Sequence, residues 1–307
     1  MYAFLKLAKD NRVSDDECDG GASLLRGAIY LHVRCSPDNV HVSLVIYVAC
    51  LVVRLVIWGL DVERLYEDVV DELERRADAE RAKKEMHWHK TVGDTFKCYG
   101  ISAPEFEEIA KKYRQAFRNL SFSERSELAK RFFRSGYGAQ MSFGTALLKL
   151  NVKEMKPADF QVLEEVGDSL NNWGTVDGFS IDVLQPLLLS YPDQVLKILT
   201  KWNKSKSLWK RRASVVVFTR KVGASGKFTD EAIRLCNNLI GDDEYYVRKG
   251  VGWTLKDSMR GNKKKVMEYV KKLRQKGTSA AITLYAMKDL KGKERKELLK
   301  TKPRSQH

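Results

Sequence analysis

The chain is poor in proline, with six in 307 residues, and poor in histidine, with five. Few prolines mean few forced helix breaks, since proline removes a backbone donor and crowds the preceding turn. The five cysteines (Cys18, Cys35, Cys50, Cys98 and Cys236) are odd in number and form no Cys-x-x-Cys pair. That argues against a disulfide framework and against a zinc or iron–sulfur site, and it fits a reducing compartment. His87 and His89 stand two apart. Such neighbours on a helix point to different faces, so no metal is expected there.

What is present is charge and helix formers. Hydrophobic residues make up 43% of the chain and charged ones 31%, a globular balance rather than a disordered one. Long stretches of Lys, Glu, Leu and Ala favour helix. The length admits two average domains or one solenoid. The net charge of +15 is unevenly placed. Residues 1–60 carry six basic and six acidic side chains, residues 61–200 carry 20 and 24, and residues 201–307 carry 29 and 10. A surface that positive repels itself unless a polyanion neutralises it, which points to nucleic acid or an anionic membrane. The plainer reading is a solubilising face with a basic tail.

Ser43–Leu60 is an 18-residue apolar stretch broken by one charge, Arg54. It is barely long enough to span a bilayer, and an arginine in such a span costs about 2.5–3.5 kcal/mol at its centre. It lies too far from Met1, with the wrong flanks, for an ordinary signal peptide. Three readings stand: a membrane anchor, a buried element, or a leader ahead of a domain beginning near Asp61. The organisation expected is an N-terminal extension over 1–60, a helical domain over 61–290 and a basic tail over 291–307.

From Asp61 onward the pattern is helical. Val62, Leu65, Tyr66, Val69, Val70, Leu73 and Ala77 have the three-and-four spacing of an amphipathic helix. Ser102-Ala103-Pro104-Glu105 and Ser121-Phe122-Ser123-Glu124 have capping-box spacing. Pro157 and Pro192 each precede an apolar-periodic run, where a missing N–H costs nothing. Tyr137, Trp173, Trp209 and Tyr246 recur at spacings of 36, 36 and 37 residues. Each opens a segment that reads as a second helix after a shorter amphipathic one. Helix pairs recurring at this length predict an all-α fold, an α-solenoid of HEAT-like repeats whose second helices line a concave basic groove.

In that register Thr175, Arg211 and Arg248 are equivalent, as are Val176, Arg212 and Lys249. Basic side chains at repeated positions would make a track for phosphates, with Arg211-Arg212, Arg248-Lys249 and Lys263-Lys264-Lys265 as candidates. Trp173 and Asp177 are four apart and share a helix face; Arg212 and Trp253 on neighbouring second helices could converge on it. Taken singly, each tryptophan reads as core and the aspartate as a cap or surface charge.

These segments resemble the AlkD-type DNA alkylation repair glycosylases, a family of HEAT-like helical repeats. The likeness runs from Val62 to Leu290 and includes Tyr99-Gly100-Ile101-Ser102-Ala103-Pro104-Glu105, with the patterns Trp-x-x-x-Asp, Trp-x-x-Arg and Arg-Lys-x-x-Gly-Trp. It implies that Asp177 is the catalytic carboxylate. It implies further that Trp173 and Trp253 contact the sugar of the damaged nucleotide, that Arg212 lies at the DNA backbone, and that the base need not be extruded. Asn172-Trp173-Gly174 stands where the pattern often has Trp-Trp-Asp, and residues 1–60 have no counterpart.

The residue types suit that chemistry. Alkylation at N7 or N3 makes a purine cationic and already a good leaving group, which leaves an oxocarbenium-like sugar to be stabilised. A carboxylate about 4 Å away offers ~4 kcal/mol at an effective dielectric near 20, and each indole face about 0.5–2 kcal/mol of cation–π attraction. No lysine is placed as a Schiff-base nucleophile. The expectation is therefore a monofunctional glycosylase acting on double-stranded DNA with alkylated bases, cytoplasmic and monomeric, with no cofactor. A non-catalytic HEAT-like scaffold binding DNA or RNA is the alternative, and a membrane-tethered adaptor rests only on residues 43–60.

Overall fold

The computed structural model describes residues 22–25, 28–31, 62–89 and 96–301. The chain divides into two compact units, Met1–Asp61 and Val62–His307. In the first, Ala22–Leu25 (β1) and Ala28–Leu31 (β2) pair antiparallel, with Ala22 opposite Leu31 and Leu25 opposite Ala28. The all-α solenoid expected from the sequence is the architecture of the second unit. The stretch Ser43–Leu60, with its three readings, lies outside the described residues. Among those that are described, no helix is long and apolar enough to cross a membrane.

The second unit is a succession of helix pairs. It opens with α1 (62–75), α2 (Ala79–His89) and α3 (Ala103–Asn119). Then follow α4 (Phe122–Arg134), α5 (Gly138–Asn151), α6 (Gln161–Ser169), α7 (Trp173–Phe179), α8 (Gln185–Ser190), α9 (Pro192–Trp202) and α10 (Leu208–Val216). The chain continues through α11 (Arg220–Ser225), α12 (Thr229–Asn238), α13 (Tyr245–Gly261), α14 (Lys263–Gln275) and α15 (Ala280–Ala286). Gly292–Lys300, expected as part of a basic tail, forms a further helix, α16, with Leu298 buried.

Both capping boxes form. Glu105 accepts from the Ser102 amide at 2.8 Å, and Glu124 accepts from that of Ser121 at 2.7 Å, satisfying donors that the first helical turn leaves open. Gly100 precedes the first box at φ +70, and a Cβ there would meet the Asp78 carbonyl oxygen at 2.2 Å. Only glycine fits that turn.

The aromatic register marks real boundaries. Tyr137 is the N-cap of α5, Trp173 the first residue of α7, and Trp209 and Tyr246 the second residues of α10 and α13. Those second helices stack in series, α5 on α7, α7 on α10, α10 on α13 and α13 on α15. The first helices form another row, in which α4 packs on α6, and α14 packs on both α12 and α16. One continuous core fills the space between, from Phe132 and Leu147 through Val176, Trp202 and Val215 to Val251 and Val266, each fully buried. Each such side chain contributes about 1.5–3 kcal/mol of burial, and no pair could supply this alone.

Candidate functional site

The row of second helices carries the site. Asn172 begins it: its side-chain oxygen accepts from the Thr175 amide at 2.9 Å, and its Nδ2 donates to the Thr175 hydroxyl at 2.8 Å and to Asn171 Oδ1 at 2.9 Å. The helix α7 therefore starts at a buried N-cap, placing Trp173 in its first turn and Asp177 one turn on. The departure Asn172 from the family pattern is thus a cap. After Phe179 the chain passes through a π-helical turn, Ser180–Leu184, in which the Gln185 amide donates to the Ser180 carbonyl. Pro186 lacks the donor for an α-helical bond at this point. Such single π turns re-phase a helix and recur at functional sites.

Trp173 is exposed, at 43% of its surface. Asp177 is half-buried and held on both oxygens by Arg212: Nε donates to Oδ1 and Nη2 to Oδ2, each at 2.9 Å. The third nitrogen, Nη1, donates to the Tyr246 carbonyl at 2.5 Å, tying α10 to the start of α13. Both members of the pair are largely covered, with side-chain exposures of 6% for Arg212 and 14% for Asp177. Burial pushes the Asp177 carboxyl up from its ordinary value, while the charge and hydrogen bonds of Arg212 and the charge of Arg220 oppose the rise.

Arg220 is a site residue that sequence reasoning missed. It opens α11 at φ +50, in the left-handed region that a side chain makes costly. Its amide donates to the buried Asp257 Oδ2 at 2.7 Å. Its guanidinium lies 5.5 Å from the centre of the half-buried Trp253 ring. Asp257 and Trp253 are four apart on α13, so one helix supplies both the anchor of the strained backbone and the ring beneath its side chain. Arg220 links Trp253 to Asp177, one by contact and the other by charge. Asp177, Arg212, Arg220 and Trp253 thus form one cluster, with Trp173 on the same row.

The expected phosphate track is corrected in most of its members. Arg212 is buried at 5% exposure and spent on Asp177 and Tyr246, so it positions the carboxylate and does not face outward. Arg211 and Arg248 are equivalent in the repeat as expected, but the job they share is structural. Arg211 Nη1 donates to the carbonyls of Ser205 and Lys206, and Arg248 Nη1 to those of Asp242 and Asp243, each six and five residues back. Both fasten the loop that enters their helix; Arg211 also grips Asp242 from Nε at 2.7 Å. Lys263, Lys264 and Lys265 sit on α14, in the row of first helices, where Lys263 pairs with Glu294 and Lys265 with Asp230. Lys249, half-buried on the site's row, lies with its ammonium beside the rings of Tyr245 and Tyr285. Among the described residues no three side chains of metal-ligating type come together.

Residues 69–290 match the family described as DNA alkylation repair enzyme. A solved structure entitled "Predicted DNA alkylation repair enzyme from Enterococcus faecalis" superposes with a TM-score of 0.59 at 16% identity, covering 70% of this chain and 97% of that one. At that identity the likeness shows the fold. No curated protein matches the sequence.

Proposed function

Because the chain belongs to the DNA alkylation repair enzyme family, we propose that it is a monofunctional DNA N-glycosylase that excises cationic alkylated purines. N7-alkylguanine and N3-alkyladenine are the expected lesions. The observation that carries this reading is the Asp177 carboxylate, gripped on both oxygens by a buried guanidinium and felt by the charge of Arg220, which lies over Trp253. A lesion of this kind needs no acid to help its base leave, because the base is already charged. What the sugar needs is a fixed negative charge as its bond to the base breaks, and a preorganised one costs no reorganisation at that moment.

Arg212 serves that need in two ways. It opposes the desolvation that pushes the Asp177 carboxyl up, and it fixes the carboxylate's orientation through a two-pronged contact. The exposed indole of Trp173 and the half-buried one of Trp253 supply faces that favour a cationic nucleotide over a neutral one.

The same ion pair also fits a structural role, in a helical row that binds nucleic acid without acting on it. Purified protein incubated with duplex DNA carrying 7-methylguanine separates the two. Release of free base above spontaneous depurination supports the glycosylase, and binding without release supports the scaffold.

A further inference from the structure

The row of second helices does not end at Trp253. On α13, Tyr245, Lys249 and Trp253 stand at four-residue intervals and so form one ridge. Beside that ridge lies α15, packed closely because position 252 is glycine: a Cβ there would meet the Tyr285 Cβ at 2.9 Å. The ring of Tyr285 is thereby laid against Lys249, whose Nζ is 5.1 Å from its centre. Lys249 also reaches the ring of Tyr245, at 5.5 Å, and Tyr245 is 49% exposed. Lys288, exposed just past α15, brings a second ammonium to Tyr285, at 5.8 Å. Two lysines thus converge on one tyrosine ring. Among the described residues neither forms an ion pair with a carboxylate within salt-bridge distance, whereas Lys263, Lys265 and Lys271 in the other row all do.

We propose that Tyr245, Lys249, Tyr285 and Lys288 form a second contact for the DNA strand, taking the sugar–phosphate backbone to one side of the lesion. The chemistry fits that occupant. Two ammonium groups on one ring repel each other, and a phosphodiester lying between them offsets that repulsion. Tyrosine rings offer flat apolar surface with a polar tip, suited to a deoxyribose edged by phosphates. The ridge is continuous with Trp253, so a strand lying on it comes to the ring that Arg220 contacts. This inference rests on the DNA-repair reading above for the identity of the polyanion, but not on base release.

The test is equilibrium binding of the full chain to undamaged duplex DNA over a range of salt concentrations, with Lys288→Ala and Tyr285→Leu beside the wild type. Each phosphate contact contributes close to one unit to the slope of log affinity against log salt. Lys288→Ala is expected to flatten that slope by about one and to weaken binding several-fold at moderate salt. Tyr285→Leu is expected to weaken binding with little change of slope. A second arm uses duplexes shortened on one side or the other of an abasic-site analogue. The loss caused by Lys288→Ala should vanish on one of the shortened duplexes and persist on the other. Unchanged affinity and slope in a Lys288→Ala protein with wild-type melting behaviour would overturn the proposal, and so would an equal loss on both shortened duplexes. A wild type that binds duplex without releasing base would overturn the catalytic reading alone.

Discussion

Replacing Arg220 by glycine and, separately, by alanine isolates what its backbone and its side chain each do. At φ +50 a residue with a Cβ bears about 1–2 kcal/mol of strain that glycine escapes. Glycine in turn gives the unfolded chain more freedom, which costs about 0.4–1 kcal/mol of stability. Both variants lose the same contact with Trp253, about 0.5–1 kcal/mol for an exposed cation on a ring. The difference between them is therefore the strain less the chain freedom, and Arg220→Gly should be more stable than Arg220→Ala by roughly 1 kcal/mol. That reverses the usual order of these residues within a helix. Urea unfolding of both variants reads the difference as a shift in midpoint at constant slope. Base release should fall alike in the two, by about two- to fivefold if the ring contact is what matters. An alanine variant as stable as the glycine variant would refute the strain argument. Unequal losses of base release would refute the assignment of function to the guanidinium.

Other outcomes follow from the same geometry. Arg211→Ala should cost about 3 kcal/mol by stranding the buried Asp242, yet leave the salt dependence of DNA binding unchanged; melting curves and binding titrations check the two halves. In base-release rate against pH, the acid limb should lie above the ordinary aspartate value, because burial raises the Asp177 carboxyl and the charged form acts. Arg212→Lys should move that limb further up by loosening the two-pronged contact. Glu72, held down to about 2 chiefly by the hydrogen bond from Lys112 and then by those from Arg76 and Arg75, contributes stability above its unfolded value that is lost as pH falls through about 2. Glu72→Gln should therefore cost about 2 kcal/mol at neutral pH, allowing for its exposed partners, and nothing once the pH is below that value.

The sequence made legible whatever depends on local pattern. Capping boxes at Ser102 and Ser121 and the aromatic register from Tyr137 to Tyr246 each report hydrogen bonding or helix starts within one turn, and each marks a boundary in the structure. The pairing of Trp173 with Asp177 was likewise a matter of spacing on a helix. The roles of the arginines were not legible, because burial is not a property of sequence spacing. Arg211, Arg212 and Arg248 fall at the repeat positions expected of a phosphate track, and all three are drawn into loop carbonyls or carboxylates. Lys263–Lys265 is among the candidates for the track by charge, but α14 belongs to the other row. Arg220 carried no signal at all, since nothing in Thr219-Arg220-Lys221 announces a left-handed backbone. What fixes it is Asp257, 37 residues away. Asn172 did carry one, the Asn-x-x-Thr spacing of an N-cap.

The central claim is that one oriented carboxylate drives the chemistry, and single-turnover base release from 7-methylguanine duplex by wild type and Asp177→Asn tests it most directly. Asparagine keeps one oxygen for Arg212, while it removes the charge and sets an NH2 donor where the second oxygen accepted. The account predicts free base from the wild type and a drop of about a hundredfold or more in the variant, as expected when a charge worth several kcal/mol at the transition state is lost, with duplex affinity retained. Equal rates in the two proteins would contradict it.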